Sequence, residues 1–99
     1  MFLDRFKDDI VRLCIENKVN YLYVFGSVIT DSFNDNSDID LVVDIKSADP
    51  LDYADHYFNL KFSLQDLLQR DIDLLENKEI KNPYIRENID QTKTLVYAA

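Results

Sequence analysis

A chain of 99 residues can bury one core, so a single domain spanning 1–99 is expected, with no room for a second substrate-binding unit. Its 46% hydrophobic and 12% aromatic content excludes disorder, and no run nears the roughly 20 apolar residues a bilayer crossing needs. Nineteen acids against eleven bases, a net charge of −8, with no cluster of Lys and Arg, exclude a nucleic-acid groove binder. A phosphate-bearing small molecule stays open if metal ions bring positive charge, as does a basic protein partner.

The N-terminal Met-Phe-Leu-Asp-Arg-Phe-Lys-Asp-Asp carries acids and no apolar h-region, unlike a secretory signal. Residues 2–17 set Phe2, Phe6, Ile10, Leu13 and Cys14 at helical spacing against Asp4, Lys7, Asp8 and Arg12, which predicts an amphipathic helix. Cys14 is the only cysteine. It sits on that apolar stripe as an ordinary buried residue, and its solitude fits a reducing cytoplasm. Tyr21-Leu22-Tyr23-Val24-Phe25 predicts a buried strand that stops at Gly26. After a polar stretch, Ile39 to Ile45 predicts a second strand. Asp49-Pro50 then gives an N-cap and a proline at the first helical position, opening a helix to about Gln69 with Tyr53, Tyr57, Leu60, Leu64 and Leu67 or Leu68 inward. His56 falls on this helix at a position expected to be solvated. Asp71 to Glu76 predicts a third strand, and Asn82-Pro83 repeats the cap signature before a last helix over 84–91. Leu95-Val96-Tyr97 reads as a turn or short edge segment. The order predicts a small α/β domain, a mixed β-sheet of about three strands backed by helices.

Three groups of residues carry chemical potential. Gly26 is the only glycine and ends a strand, which suits a plain tight turn or a close approach to a ligand. Ser27 beside it could donate to a phosphate together with backbone N–H groups. Asp38-Ile39-Asp40 aligns two carboxylates on one face of a strand. Such a pair is either a charged edge that resists strand pairing or a site that needs cations to relieve its repulsion. Asp73, two residues after Asp71, could join them from a neighbouring strand. Three such acids can hold two metal ions about 3.5–4 Å apart, the geometry of in-line phosphoryl or nucleotidyl transfer. The run Asn34-Asp35-Asn36-Ser37-Asp38 lacks the glycine of an EF-hand loop, and the chain lacks the glycines of a P-loop or dinucleotide fingerprint.

The spacing joins these groups. Gly26-Ser27, ten residues, then Asp38-Ile39-Asp40-Leu41-Val42-Val43 resembles the signature of the DNA polymerase β-like nucleotidyltransferases, in the form found in minimal nucleotidyltransferase (MNT) proteins. Asp73 in Asp-Ile-Asp-Leu-Leu-Glu resembles that family's third acid, and Asn82-Pro83-Tyr84 with Ile85-Arg86-Glu87 resembles its closing helix. One departure stands out: Val28-Ile29-Thr30-Asp31 replaces the basic residue that many members carry after Gly-Ser. Lys61 or Arg70 would have to supply that charge from elsewhere.

The resemblance implies the polymerase β-like fold and a Mg²⁺-dependent enzyme. Asp38 and Asp40 would ligate both ions, Asp73 would ligate the one at the nucleophile, and Gly26-Ser27 would hold the phosphates of ATP. It further implies an antitoxin that transfers AMP to a tyrosine hydroxyl of a HEPN-type toxin partner. Two alternatives remain open: a binding module that neutralises the partner by occlusion, and a small-molecule nucleotidyltransferase.

Overall fold

The computed structural model describes residues 1–30 and 33–99. Among these, β1 (Val19–Phe25), β2 (Ile39–Ile45), β3 (Ile72–Glu76) and β4 (Thr94–Ala98) form one sheet in the order β3-β2-β1-β4. β1 and β2 are antiparallel, and β3 lies parallel to β2. β4 runs antiparallel along the other side of β1. The three expected strands are therefore present, and the C-terminal segment adds a fourth. That segment is too short to signal a strand by periodicity; it becomes one by taking up the hydrogen-bonding edge that β1 offers.

A 3-10 turn over Phe2–Phe6 leads into α1 (Lys7–Glu16), so the expected first helix is present with its opening turn wound more tightly. α2 (Pro50–Leu68) starts as its cap predicts, with the Asp49 carboxylate accepting from the N–H groups of Leu51 and Asp52. α3 (Pro83–Thr92) is capped in the same manner by Asn82, which accepts from Tyr84 and Ile85. Gln69 ends α2 in the left-handed region at φ 53°. A glycine is the usual residue there, but the one glycine of this chain stands at Gly26.

One face of the sheet carries the main core. Leu22, Val24, Ile39, Leu41, Val43, Ile72 and Leu74 meet Ile10, Leu13 and Cys14 of α1 and Leu60, Leu64 and Leu68 of α2. Strand alternation sends the intervening residues to the opposite face, among them Val42, which is buried outside that core together with Ile89 of α3. Lys93, which caps the C-terminal end of α3, sets its ammonium 4.5 Å from the centre of the Tyr23 ring on this second face. No helix among the described residues is long and apolar enough to cross a membrane.

His56 corrects the expectation of a solvated position. Its Nδ1 lies 3.2 Å from Asn17 Oδ1 and its Nε2 lies 3.4 Å from Asp52 Oδ1. The cause is Asn17, which ends α1 inside the protein at 1% exposure. A buried amide must be satisfied, and it donates to the Leu13 carbonyl at 2.9 Å while accepting from Asn59 Nδ2 at 2.9 Å. This network lies by the start of β1, the far end of that strand from Gly26.

Cys14 is fully buried, and burial pushes its thiol up to about 12. The thiolate is the reactive form. Native protein at pH 8 is therefore expected to leave iodoacetamide unreacted over hours, and urea-unfolded protein to take one equivalent within minutes. Equal labelling rates in the two states would show that the packing around α1 opens freely.

Candidate active site

Gly26, Ser27, Asp38, Asp40 and Asp73 come together at one end of the sheet. β1 delivers Gly26 at its last turn, because its final residue, Phe25, pairs with Asp40 across the β1–β2 ladder. Asp40 in turn pairs with Asp73 across the parallel β2–β3 ladder, and partners in register project from the same face. Both carboxylates stand on the face opposite the main core. Their intervening neighbours Ile39, Leu41, Ile72 and Leu74 are buried in that core, which fixes the two strands in register and hence the acids.

The contact between Gly26 and Asp40 is the tightest feature of the site. Gly26 has φ 77°, and a Cβ built on it would overlap Asp40 Oδ2 and stand 3.3 Å from Asp40 Cγ. The single glycine thus serves both a left-handed turn and a close approach, the two uses for which glycine is retained. The chain then winds through a short 3-10 turn, Gly26–Ile29. It is closed by Thr30, whose N–H and Oγ1 both donate to the Ser27 carbonyl at 2.9 Å. Val28 points inward at 6% exposure, so the residue following Gly-Ser serves the core. Asp31, the last residue of the Val-Ile-Thr-Asp departure, lies outside the described residues.

Asp38 differs from its two companions. It precedes β2 and is exposed, so the ladder does not hold it as the strand reading of Asp-x-Asp expected. The strand begins at Ile39 because the Ile39 N–H donates to the Asp71 carbonyl at 3.0 Å. Asp38 nevertheless lies close enough to act on Asp40. Burial raises the Asp40 carboxyl above its ordinary value, and the charges of Asp73 and then Asp38 push it in the same direction. Among the described residues no ion pair reaches Asp38, Asp40 or Asp73. Nor do any three His, Cys, Asp or Glu side chains among them converge into a ready-made metal cage.

The donor set fits a hard divalent cation on chemical grounds. Asp40 and Asp73 present carboxylate oxygens in register on one face, Asp38 adds a third carboxylate from before the strand, and among the described residues no ion pair offsets their repulsion. An open polar depression of about 470 Å³ adjoins this set, lined by Asp38 together with Ser37, Gln65, Gln69, Arg70 and Asp71. Of the five expected site residues only Asp38 lines it.

Arg70 is the residue whose part was not legible in the sequence. Its Nη1 donates to the carbonyls of Asn34 at 2.7 Å and Ser37 at 3.0 Å. Its guanidinium carbon lies 4.3 Å from the centre of the Phe33 ring and 4.7 Å from that of Phe2. No motif brings residues 2, 33–37 and 70 together, and the chain offers only a lone arginine at a helix exit.

Residues 8–99 match the family described as Polymerase beta, Nucleotidyltransferase. A protein of Methanocaldococcus jannaschii, named as a candidate protein adenylyltransferase, is 36% identical over 74 residues, 75% of this chain and 72% of the relative. Two solved structures share the fold. A toxin–antitoxin with AMP-PNP superposes with a TM-score of 0.72 at 22% identity, over 94% of this chain and 73% of that one. A tri-AMPylated HEPN toxin of Shewanella oneidensis with its MNT antitoxin gives a TM-score of 0.64 at 21% identity, over 94% and 70%.

Proposed function

The chain belongs to the polymerase β nucleotidyltransferase family, and from that premise we propose that it transfers AMP from ATP to a hydroxyl of a HEPN-type protein, with Mg²⁺ as the metal. The observation that carries the reading is the joint: Gly26 abuts Asp40, and Asp40 stands in register with Asp73. A phosphate-binding turn and two acids on adjacent strands then face the same small volume. The adenylyltransferase name of the relative, the AMP-PNP complex and the AMPylated toxin support the choice of AMP, of ATP and of the partner.

In this reading Asp38, Asp40 and Asp73 would hold the divalent ions, whose chemistry is to offset charge on the triphosphate and make the acceptor hydroxyl more acidic. The residues of the chain do the rest. The Ser27 hydroxyl and the backbone N–H groups of the Gly26–Ile29 turn orient the phosphates, which limits them to a line of attack. Asp73, which is exposed, receives the proton of the acceptor hydroxyl on its carboxylate. The acceptor oxygen bonds to the α-phosphorus, the bond from that phosphorus to its bridging oxygen breaks, and pyrophosphate leaves. We take the acceptor to be a tyrosine hydroxyl.

The test is to mix the protein with ATP, Mg²⁺ and the HEPN-domain protein encoded beside it, and to weigh that partner. A gain of whole AMP units, absent with Asp40→Ala, is expected. A partner that stays unmodified, and that Asp38→Ala and Asp40→Ala variants neutralise as well as wild type, would instead establish neutralisation by occlusion.

A further inference from the structure

We propose that Arg70 is a positioning residue for Asp38: it holds the turn Asn34–Ser37, and through it the one site carboxylate that the sheet leaves unsecured. The inference rests on the reading of the site given above and deepens it. Asp40 and Asp73 lie within strands, where ladders on both sides of β2 fix them. Asp38 lies before β2, so its place depends on the segment that leads into it.

That segment is built as a closed turn. The Ser37 N–H donates to the Asn34 carbonyl at 3.0 Å, the Asn36 N–H to Asn34 Oδ1 at 2.8 Å, and the Asn34 N–H to Ser37 Oγ at 3.1 Å. These bonds give the turn its shape. Arg70 ties it to the exit of α2, by donating from Nη1 to the carbonyls at the two ends of the turn, Asn34 and Ser37. Its Nη2 also stands 3.8 Å from Asp35 Oδ1.

The guanidinium is itself held from both sides. Phe33 and Phe2 present their rings to it at 4.3 and 4.7 Å, and only 13% of the side chain is exposed. Phe2 and Phe33 also contact each other, with centroids 5.4 Å apart. Three separate segments therefore meet on one planar cation: the N-terminal turn, the loop before Asp38 and the exit of α2. An ammonium cannot copy this, because it lacks the flat faces that stack on rings and the fork that spans two carbonyls. With Nη1 committed to the two carbonyls and the guanidinium faced by two rings, Arg70 serves the site by placing Asp38 and leaves the triphosphate to the rest of the site. This answers where its charge goes, a question the sequence left open.

Arg70→Lys keeps the charge and is the informative variant. It is expected to lower kcat for AMP transfer about 10- to 100-fold with KM for ATP changed less than about threefold. In an Asp38→Asn background it is expected to have almost no further effect, since a residue acting through Asp38 loses its role when that carboxylate is gone. A raised KM at constant kcat would instead assign Arg70 to the triphosphate and overturn the proposal, as would full additivity with Asp38→Asn. Hydrogen–deuterium exchange without substrate tests the same point should the protein transfer no AMP. The amide of Ser37 in Arg70→Lys is expected to exchange about tenfold faster or more, while amides of Leu60 and Leu64 keep their wild-type rates. Unchanged exchange at Ser37 overturns the positioning role whatever the activity, and fast exchange in a protein inactive as wild type would reject only the catalytic reading.

Discussion

Asp40→Asn is expected to lower AMP transfer on the order of 10³-fold or more, while the melting temperature of the metal-free protein stays level or rises. The two effects have one cause. Asp40 is the central acid of the site, flanked by Asp73 in the register and by Asp38 two residues earlier. Burial and both neighbouring carboxylates work against its charge, and no ion pair among the described residues relieves it. The folded-state carboxyl therefore titrates above its unfolded value, so the folded protein binds the proton more tightly. By linkage, stability falls as pH climbs through the interval between the two values, and the deficit persists at neutral pH. Asparagine carries no such deficit. Thermal melts of both proteins without metal should coincide well below pH 4 and separate above it, with the variant the more stable. A variant less stable than wild type at neutral pH would mean that the Asp40 carboxylate is favourably solvated and that its charge needs no counter-ion.

Gly26→Ala is the second large effect, and here activity and stability fall together. Alanine at φ 77° costs about 1 kcal/mol or more by itself, and its Cβ would overlap Asp40 Oδ2. Either Asp40 rotates away or the turn shifts, and both outcomes dismantle the joint between the Gly26–Ile29 turn and the acids. A loss of about 2–3 kcal/mol in urea unfolding is expected, with transfer reduced as far as in Asp40→Asn. The steric part is separable. In an Asp40→Ala background the overlapping oxygen is gone, so the same glycine substitution should cost only the conformational share, about 1 kcal/mol. Equal costs in both backgrounds would show that the glycine answers to its dihedral angle alone and that its nearness to Asp40 is incidental.

These expectations rest on features of unequal visibility. Asp49-Pro50 and Asn82-Pro83 announce the starts of α2 and α3 because capping is a local matter between a side chain and backbone groups two or three residues on. The Ile39–Ile45 strand was legible with both its ends, since four inward-facing residues alternate through it. β4 was legible only as a turn or short edge segment, because Thr94–Ala98 becomes a strand by virtue of the edge of β1 beside it. His56 was misjudged for a related reason. Its partner Asn17 lies 39 positions away, and the demand of a buried amide for hydrogen bonds leaves no periodic mark.

The sequence by itself pointed to the residues of the candidate site. One glycine at a strand end followed by Ser27 and, after ten intervening residues, an Asp-Ile-Asp pair single out Gly26, Ser27, Asp38 and Asp40 through their resemblance to a known signature, which is legible because it lies in residue type and local spacing. Tertiary structure alone decided how the five are held. Parallel pairing brought Asp73 into register with Asp40, a match set by burial of Ile39, Leu41, Ile72 and Leu74 together. It also separated Asp38 from the strand to which its spacing assigned it, and gave its support to Arg70, 32 positions later. A cation held between two rings and two carbonyls depends on where three distant segments meet, and only the folded core fixes that.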